Sequence, residues 1–230
     1  MADTGIAPPP PSHPLSPLPA HLQAGPAQGR SGGPAHAAVP AYDAIVIGGS
    51  SGAIDALGAI LPALPATLHA CVLVVMHLPR DRRSLLADIF RQRCALPVQE
   101  ATDGVRLTRP LICFAPPDYH LLVDAGPRVA LSIDPPLHYS RPSIDVLFES
   151  AADLYGERVV AVLLSGANDD GARGLAAVHA AGGLTVVQAP ASAPMPAMPL
   201  AGLARVTAHH VLAPYAVGAL LADLHRKGQL

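Results

Sequence analysis

The stretch Asp43-Ala-Ile-Val-Ile-Gly48, followed by Gly49-Ser-Ser-Gly52, decides the fold of this 230-residue chain. A short, continuous apolar run that ends in glycine is typical of a strand buried in a parallel sheet. Apolar residues recur with helical spacing from Ala53 to Leu61, and Pro62 ends that pattern. The stretch therefore predicts a strand, a tight glycine-rich turn and a helix in direct succession.

The rest of the chain repeats this alternation of buried strands and helices. Further buried strands are predicted at 70–76, 159–164 and 184–188, shorter strands between 97 and 133, and helices at 83–92, 143–155, 170–181 and 215–226. Such alternation indicates an α/β fold, a doubly wound and mostly parallel sheet with helices on both faces. Ligands bind at the carboxyl ends of such strands, which here means the loops after Ile47, Met76 and Leu164.

Residues 1–40 differ from the rest because they are crowded with Pro, Ala and Gly, including the run Pro8-Pro-Pro-Pro11. Proline is unfavourable inside helices and the segment has little to bury. It is therefore predicted to be a disordered tail or linker, with a polyproline recognition site as the alternative. The folded domain is predicted to span residues 41–230.

The composition excludes several functions. The formal net charge of −2 provides no basic field for nucleic acid. The sequence shows no secretory signal and no apolar run near the ~20 residues of a membrane helix, so we expect a cytoplasmic protein without membrane insertion. The three cysteines, Cys71, Cys94 and Cys113, match no zinc pattern. They are predicted to be free thiols in a reducing compartment, with a nucleophilic cysteine as the alternative.

The turn Gly48-Gly-Ser-Ser-Gly52 fits the pattern G-x-S-x-G between a strand and a helix. Glycines permit the sharp turn that lifts a serine side chain, and the free N–H groups of the following helix can stabilise an oxyanion. Ser50 is therefore a candidate nucleophile. Two alternatives stay open on this motif alone, namely a phosphate site at the helix start and a turn without chemistry.

Two further loops at the same edge carry a candidate base and acid. His77 directly follows the second strand and can accept a hydroxyl proton near neutral pH. After the third long strand, Asp169 is favoured as a helix N-cap, whereas Asp170 suits either an N-cap or a group that orients His77. The common α/β-hydrolase order, in which histidine comes last, would instead make His209 or His210 the base.

At this point the chain resembles the catalytic domain of the bacterial chemotaxis protein-glutamate methylesterases, also called CheB-type. The resemblance extends from residue 42 to about 225. It is carried by Ile47-Gly-Gly-Ser-Ser-Gly52, Met76-His-Leu-Pro79, Phe114-Ala-Pro-Pro-Asp-Tyr-His120, Ser140-Arg-Pro-Ser-Ile-Asp-Val-Leu-Phe148, Leu164-Ser-Gly-Ala-Asn-Asp-Asp-Gly171 and Gln188-Ala-Pro-Ala-Ser-Ala-Pro-Met-Pro-Ala-Met-Pro199. Six dispersed segments in the right order are far more specific than one serine turn.

The resemblance implies a serine hydrolase that removes methyl esters from glutamate side chains on the cytoplasmic helices of chemoreceptors, releasing methanol. Some members also deamidate glutamines. It implies the catalytic residues Ser50, His77 and Asp170, with no metal and no organic cofactor. The implied positions for the oxyanion site or the lining of the substrate site are Ser51, Ala167, His120 and Met198.

The chain departs from the family pattern in places. Ala167 and Asn168 stand where the family usually has Met and Gly, and Pro190 and Ala197 replace an acidic residue and a glycine. Residues 1–40 are too short for a receiver domain, so we expect a stand-alone domain, regulated by a separate response regulator or not at all. Two other functions remain as alternatives: a catalytically weak or inactive signalling adaptor, and a nucleotide- or phosphate-binding Rossmann-like protein.

Overall fold

The structure is a computed structural model that describes residues 42–78 and 83–230. The strands are β1 (Ala44–Gly49), β2 (Cys71–Met76), β3 (Val98–Glu100), β4 (Leu111–Phe114), β5 (His120–Asp124), β6 (Arg128–Ser132), β7 (Val159–Leu163), β8 (Leu184–Gln188) and β9 (His210–Leu212). The helices are α1 (Ala53–Ile60), α2 (Leu86–Arg91), α3 (Ile144–Tyr155), α4 (Ala172–Ala180), α5 (Ala197–Arg205) and α6 (Pro214–Arg226). The predicted tail at 1–40 lies outside the described residues and stays a prediction.

Seven strands form one sheet in the order β3-β4-β2-β1-β7-β8-β9, and every neighbouring pair is parallel. The remaining two strands, β5 and β6, pair as a separate antiparallel hairpin. From β1 the chain adds β2 to β4 on one side of the sheet and β7 to β9 on the other, so the strand order reverses at β1. Doubly wound sheets bind their ligands at such a reversal. The turn predicted to carry the serine follows this central strand.

Side chains on the central strand alternate between two hydrophobic cores. Ile45 and Ile47 pack into one core with buried residues of α1, α2 and α6. Ala44 and Val46 face the other core, which contains residues of α3, α4 and α5 and of the β5–β6 hairpin. Because a strand presents successive side chains to opposite faces, this alternation buries β1 on both sides. The prediction of a mostly parallel sheet with helices on both faces is confirmed.

Several predicted element boundaries need correction. The helix predicted at 83–92 is shorter, because α2 begins at Leu86, whose N–H donates to the Ser84 hydroxyl oxygen at 3.2 Å. The helix predicted at 170–181 begins at Ala172 and is preceded by Gly171 in a left-handed conformation, with φ of 90°. Gly171 therefore holds the N-cap position that was predicted for Asp169. Helix α5 and strand β9 were not predicted.

Across residues 42–78 and 83–230, no helix combines the length and apolar character required to cross a bilayer.

Candidate active site

The predicted nucleophile, Ser50, lies in the turn between β1 and α1. Its backbone N–H donates to the Ser165 carbonyl at 2.9 Å, and its own carbonyl accepts the N–H of Ala53 at 3.0 Å. Between them, Gly52 has φ of 80°, a left-handed conformation that side chains with a Cβ rarely adopt. These contacts turn the chain sharply into α1 and leave Ser50 half-buried at the edge of the sheet.

A glycine also brings α3 close to this turn. A Cβ atom at Gly48 would lie 2.2 Å from Cγ2 of Ile144, the first residue of α3. No side chain can replace the hydrogen of Gly48 without moving the helix. The small residue therefore allows the amino-terminal end of α3 to pack directly against the carboxyl end of β1.

The predicted base, His77, is the residue after β2 and lies next to Ser50. The register pairs Gly49 with Met76, and the His77 N–H donates to the Gly49 carbonyl at 3.2 Å. Ser50 is therefore the first residue after β1 and His77 the first residue after β2, and both lie at the carboxyl edge of two adjacent parallel strands. The His77 side chain is 11% exposed, and its Nε2 lies 2.8 Å from Oδ2 of Asp170.

Asp170 is fully buried and is held by four hydrogen bonds. Its Oδ1 accepts from the Ser143 hydroxyl at 2.8 Å and from the Asp145 N–H at 3.0 Å, and its Oδ2 accepts from the Ile144 N–H at 2.7 Å and from His77. Burial alone would raise the pKa of this carboxyl, but the hydrogen bonds from His77, Ile144 and Asp145 keep its pKa below the ordinary value. The ionised carboxylate thus caps the amino-terminal end of α3 from another element of the fold.

The ionised Asp170 determines which ring nitrogen of neutral His77 carries the hydrogen. An ionised carboxylate can only accept hydrogen bonds, so the hydrogen of neutral His77 must be on Nε2, which faces Asp170. The other ring nitrogen, Nδ1, then carries the lone pair that can remove a proton. Serine proteases of the chymotrypsin type use the two nitrogens in the opposite roles. In this site, Nδ1 is therefore the ring nitrogen that can accept a proton.

The structure joins two of the three predicted catalytic groups by a direct hydrogen bond and brings the third alongside them. Within the ranges 42–78 and 83–230, the Ser50 hydroxyl makes no hydrogen bond to His77. The group recorded at Nδ1 of His77 is instead the Ser140 hydroxyl, at 3.3 Å. Ser140 was not among the predicted site residues, although it is the first residue of segment 140–148, one of the six that resemble the methylesterase family.

Two backbone groups at the site are suited to stabilising an oxyanion. Ser51 and Ala167 are exposed, and neither backbone N–H donates to another of the described residues. The buried Ser165 hydroxyl holds both neighbouring loops, since it donates to the Ser51 carbonyl at 2.8 Å and accepts the Met195 N–H at 3.0 Å. A backbone donor does not depend on its side chain, so alanine at position 167 is compatible with this role.

The structure finds His120 and Met198 behind the site rather than at its surface. His120 is 1% exposed; its Nδ1 accepts the Ser143 N–H at 3.1 Å, and its Nε2 lies 3.3 Å from the Pro135 carbonyl oxygen. Met198 is fully buried, and its N–H donates to the Gly166 carbonyl at 3.0 Å. Both residues therefore support the loops that carry the reactive groups.

The alternative histidines lie elsewhere. His210 begins β9, at the edge of the sheet, and β7 and β8 separate that strand from β1. The Nδ1 atom of His209 lies 2.8 Å from the Thr185 hydroxyl, before β9 begins. Both histidines thus lie near the amino end of an edge strand, whereas Ser50 lies at the carboxyl end of the central strand. The structure places His77, and not these two, beside Ser50.

The cysteine alternative is unfavourable on electrostatic grounds. Cys71 and Cys113 are buried, and burial raises the pKa of Cys113 to about 12. Burial likewise raises the pKa of the half-buried Cys94. A nucleophilic cysteine needs a lowered pKa, since the thiolate is the reactive form.

One group of side chains in the described part of the chain is close enough to share a cation. Ligand atoms of His138, Asp145 and Asp170 lie within 4.8 Å of one another. Both oxygens of Asp170 already accept hydrogen bonds, and the Arg173 guanidinium lies 3.7 Å from Oδ2 of Asp145. An arginine beside the acidic group opposes a metal ion, so the cluster fits an ion-pair network better than a metal centre.

A serine turn, an imidazole and a buried carboxylate at the carboxyl edge of a parallel sheet are typical of α/β serine hydrolases. The family model for the CheB methylesterase matches residues 45–221. A Leptospira interrogans protein named putative protein-glutamate methylesterase/protein-glutamine glutaminase is 37% identical over 171 residues, which are 74% of this chain and 89% of the relative. The chain therefore belongs to the CheB methylesterase family and is a carboxylic ester hydrolase.

Two further comparisons agree with this assignment. A Symbiobacterium thermophilum protein-glutamate methylesterase/protein-glutamine glutaminase is 43% identical over 144 residues, covering 63% of this chain and 40% of that protein. The crystal structure of the Thermotoga maritima CheB methylesterase catalytic domain superposes with a TM-score of 0.77 at 29% identity, covering 80% of this chain and 99% of that one. The fold expected from the sequence is therefore that of a CheB catalytic domain.

Proposed function

We propose that this protein hydrolyses methyl esters of glutamate side chains on chemoreceptor-type proteins, with Ser50 as nucleophile, His77 as base and Asp170 as the group that orients His77. The observation that carries the proposal is the 2.8 Å hydrogen bond between His77 and the buried Asp170, next to the turn that holds Ser50. The names of the relatives, protein-glutamate methylesterases, support this substrate class.

The reaction follows from the protonation state of the site. Ser50 attacks the ester carbonyl while its proton moves to Nδ1 of His77, and Asp170 stabilises the imidazolium through Nε2. The N–H groups of Ser51 and Ala167 stabilise the negative oxygen of the tetrahedral intermediate, each with a worth of about 3–4 kcal/mol. His77 then returns the proton to the leaving methoxide, and methanol departs.

The second half of the reaction uses the same groups. Water attacks the acyl-enzyme while His77 again removes a proton. His77 then returns that proton to the Ser50 oxygen, which leaves as the hydroxyl, and the free glutamate side chain is released. Proton transfer of this kind contributes about 10²–10⁴-fold to the rate.

A groove beside the serine turn supports a protein substrate. A cavity of about 340 Å³ adjoins Gly52 and is lined by residues that include Asp55, Gln188, Pro194 and Tyr215. Ser51, Gly52 and Ala167 are exposed at the same edge. An open edge with an adjoining groove can accept a side chain presented by a helix of another protein, such as the cytoplasmic helix of a methylated receptor.

Glutamine deamidation is a second candidate activity. The relatives carry the double name protein-glutamate methylesterase/protein-glutamine glutaminase. An amide differs from a methyl ester at the leaving group, which must be protonated before it departs as ammonia. The proton taken up by His77 from Ser50 is available for that purpose.

Methanol release tests the proposed function. The substrate is a receptor-helix peptide that contains a glutamate γ-methyl ester, and the variants are Ser50→Ala and the control Ser132→Ala, in β6. We expect the wild type and Ser132→Ala to release methanol and Ser50→Ala to release none, because only Ser50 can form the acyl-enzyme. Hydrolysis by Ser50→Ala at the wild-type rate would refute the proposal, and a wild type without activity would favour the adaptor alternative.

A further inference from the structure

A second serine, Ser140, is hydrogen-bonded to the ring nitrogen of His77 that is proposed to act as the base. The Ser140 hydroxyl lies 3.3 Å from Nδ1 of His77, while Nε2 of the same ring lies 2.8 Å from Asp170. Because the ring hydrogen is on Nε2, Nδ1 can only accept, and the Ser140 hydroxyl is the donor. The imidazole is thus held at both of its nitrogens, by a carboxylate on one side and a hydroxyl on the other.

The backbone holds Ser140 at the base of a tight turn. Leu137 and Ser140 exchange two hydrogen bonds, with the Leu137 N–H donating at 3.1 Å and the Ser140 N–H donating at 2.7 Å. The tip of the turn consists of His138 and Tyr139, with φ of 48° and 62°. Residues other than glycine adopt this left-handed conformation at a cost in free energy. The conformation therefore persists only where surrounding contacts hold it in place.

Contacts on both sides of the turn define that conformation. On one side, Nδ1 of His138 pairs with Asp169 at 2.9 Å, and Nε2 faces the buried Asp145 at 3.5 Å. On the other side, the Arg141 guanidinium donates to Asp118 at 2.8 Å and to the Ile133 carbonyl at 2.7 Å. The turn is therefore tied to the aspartate loop and to the segment after β6, and Ser140 is presented to His77 in a preset position.

We propose that Ser140 is the positioning residue of the base: its hydroxyl fixes the His77 ring so that Nδ1 faces the side of Ser50 throughout the reaction. The inference rests on the proposed function. A hydroxyl suits both states of the ring because it can donate and accept. It donates to Nδ1 of the neutral imidazole, and the His138 carbonyl, 3.5 Å from the same oxygen, is a second acceptor for its hydrogen. When the hydroxyl turns its hydrogen to that carbonyl, the Nδ1 lone pair is free to take the Ser50 proton, and the Ser140 oxygen then accepts from the new Nδ1–H. Ser140 itself gains and loses no covalent bond.

The alternative role for Ser140 is that of the nucleophile, since it is the serine hydrogen-bonded to the base. The local structure favours Ser50 for that role. Ser50 immediately precedes the exposed N–H groups at the start of α1, whereas Ser140 lies in a turn closed by its own backbone hydrogen bonds. Only a nucleophile beside oxyanion donors benefits from them in the transition state.

The test compares Ser140→Ala, Ser140→Thr and the matched control Ser132→Ala, which removes a hydroxyl from β6 that contacts Asp134. Methanol release from the methyl-ester peptide gives kcat and KM. We expect kcat to fall by about twofold to tenfold in Ser140→Ala, the value of one hydrogen bond, with KM unchanged because Ser140 contacts the base. Ser140→Thr keeps the hydroxyl and should recover most of kcat, and Ser132→Ala should match the wild type.

A second readout does not depend on activity. In protein with ¹⁵N-labelled histidine, the Nδ1 resonance of His77 should move toward that of an unbonded ring nitrogen in Ser140→Ala and should stay in place in Ser140→Thr. An unchanged resonance in Ser140→Ala would overturn the inference, as would equal losses of kcat in the Ala and Thr variants. If Ser140→Ala were inactive while Ser50→Ala still released methanol, Ser140 would be the nucleophile, and both this inference and the proposed function would fail.

Discussion

Two buried carboxylates, those of Asp145 and Asp170, lie at the amino-terminal end of α3, and their surroundings differ. Asp170 is fully buried and receives four hydrogen bonds, shared between its two oxygens. Asp145 is 1% exposed; its Oδ1 accepts the Gly174 N–H at 2.7 Å, but its Oδ2 has no hydrogen-bond partner among the described residues. The nearest basic side chains to Oδ2 are the His138 imidazole at 3.5 Å and the Arg173 guanidinium at 3.7 Å.

The pKa values of the two groups move in opposite directions. Burial is the largest influence on the pKa of both groups. It raises the pKa of Asp145, and the negative charge of Asp170 acts in the same direction, while the hydrogen bond from the Gly174 N–H and the nearby Arg173 compensate only in part. In Asp170 the hydrogen bonds from His77 and from the start of α3 outweigh burial and lower the pKa. Burial alone therefore does not decide whether a carboxylate is ionised; the number of hydrogen-bond donors that reach it decides which way its pKa moves.

The largest expected effect is that of Asp170→Asn. The asparagine side chain would place an NH₂ group where a carboxylate oxygen now accepts two hydrogen bonds. It would also remove the negative charge opposite His77. We expect ester hydrolysis to fall by roughly 10⁴-fold. The free energy of unfolding in urea should fall by about 3–5 kcal/mol, as when one partner of a buried pair is removed. The control Asp169→Asn changes an exposed neighbour and should alter stability by less than about 1 kcal/mol; a similar loss in both variants would contradict the comparison.

The dependence of stability on pH should separate the two carboxylates next. Because the pKa of Asp170 is lowered below its ordinary value of 3.8, its contribution is present above that pH and is lost as the pH falls through the lowered pKa. The difference in unfolding free energy between the wild type and Asp170→Asn should therefore shrink as the pH falls below about 4. Urea titrations at a series of acidic pH values measure this difference, and a constant difference would show that Asp170 is not held ionised.

A smaller effect is expected from Ser143→Ala, which removes one donor to Asp170. The Ser143 hydroxyl donates to Oδ1 at 2.8 Å in a fully buried position. A hydrogen bond to a charged group is worth about 1.5–3 kcal/mol, and we expect a loss of that size in urea unfolding with a partial loss of activity. Ser150→Ala, within α3, provides the comparison, because it removes a hydroxyl that bonds to Val123 and Leu147 instead of Asp170 and should leave the activity intact. Wild-type stability of Ser143→Ala would mean that this donor does not hold the carboxylate.

The smallest effect is expected from Asp145→Asn. Its amide oxygen can still accept from Gly174, and the loss of attraction to Arg173 is offset by the removal of a buried charge. Stability near neutral pH should stay within about 1 kcal/mol of the wild type. Since the pKa of Asp145 is raised, the wild type should lose stability relative to this variant as the pH rises from 3.8 through the raised pKa. A change in the same direction as for Asp170→Asn would be inconsistent with this account.

The sequence predicted the parts of the fold and the site that depend on local pattern. The apolar runs at β1, β2, β7 and β8 are continuous and end at glycine or at a polar loop, so the parallel sheet follows from them. Ser50, His77 and Asp170 follow the ends of such strands, and the edge of one sheet brings them together. The start of α2, which was predicted too early, depends on a single hydrogen bond that the Leu86 N–H donates to the Ser84 side chain.

The sequence did not reveal the residues that hold the predicted groups in place. Ser140 and Ser143 act through contacts across the molecule, with His77 and Asp170 respectively, that no periodicity records. Ser143 does open a helix, and the local pattern predicts that its hydroxyl caps its own helix. In the structure that hydroxyl donates to Asp170, and the carboxylate takes over the cap. The short β9 and the proline-rich start of α5 carry too little pattern to be distinguished from loops.

The proposed roles of Ser50 and His77 are measured most directly by intact-mass spectrometry after exposure to a serine-directed fluorophosphonate, on the wild type, Ser50→Ala and His77→Ala. We expect one adduct on the wild type and none on either variant, because the proposal makes Ser50 the reactive hydroxyl and Nδ1 of His77 its base. No adduct on the wild type, or an adduct that persists in Ser50→Ala, would contradict both roles.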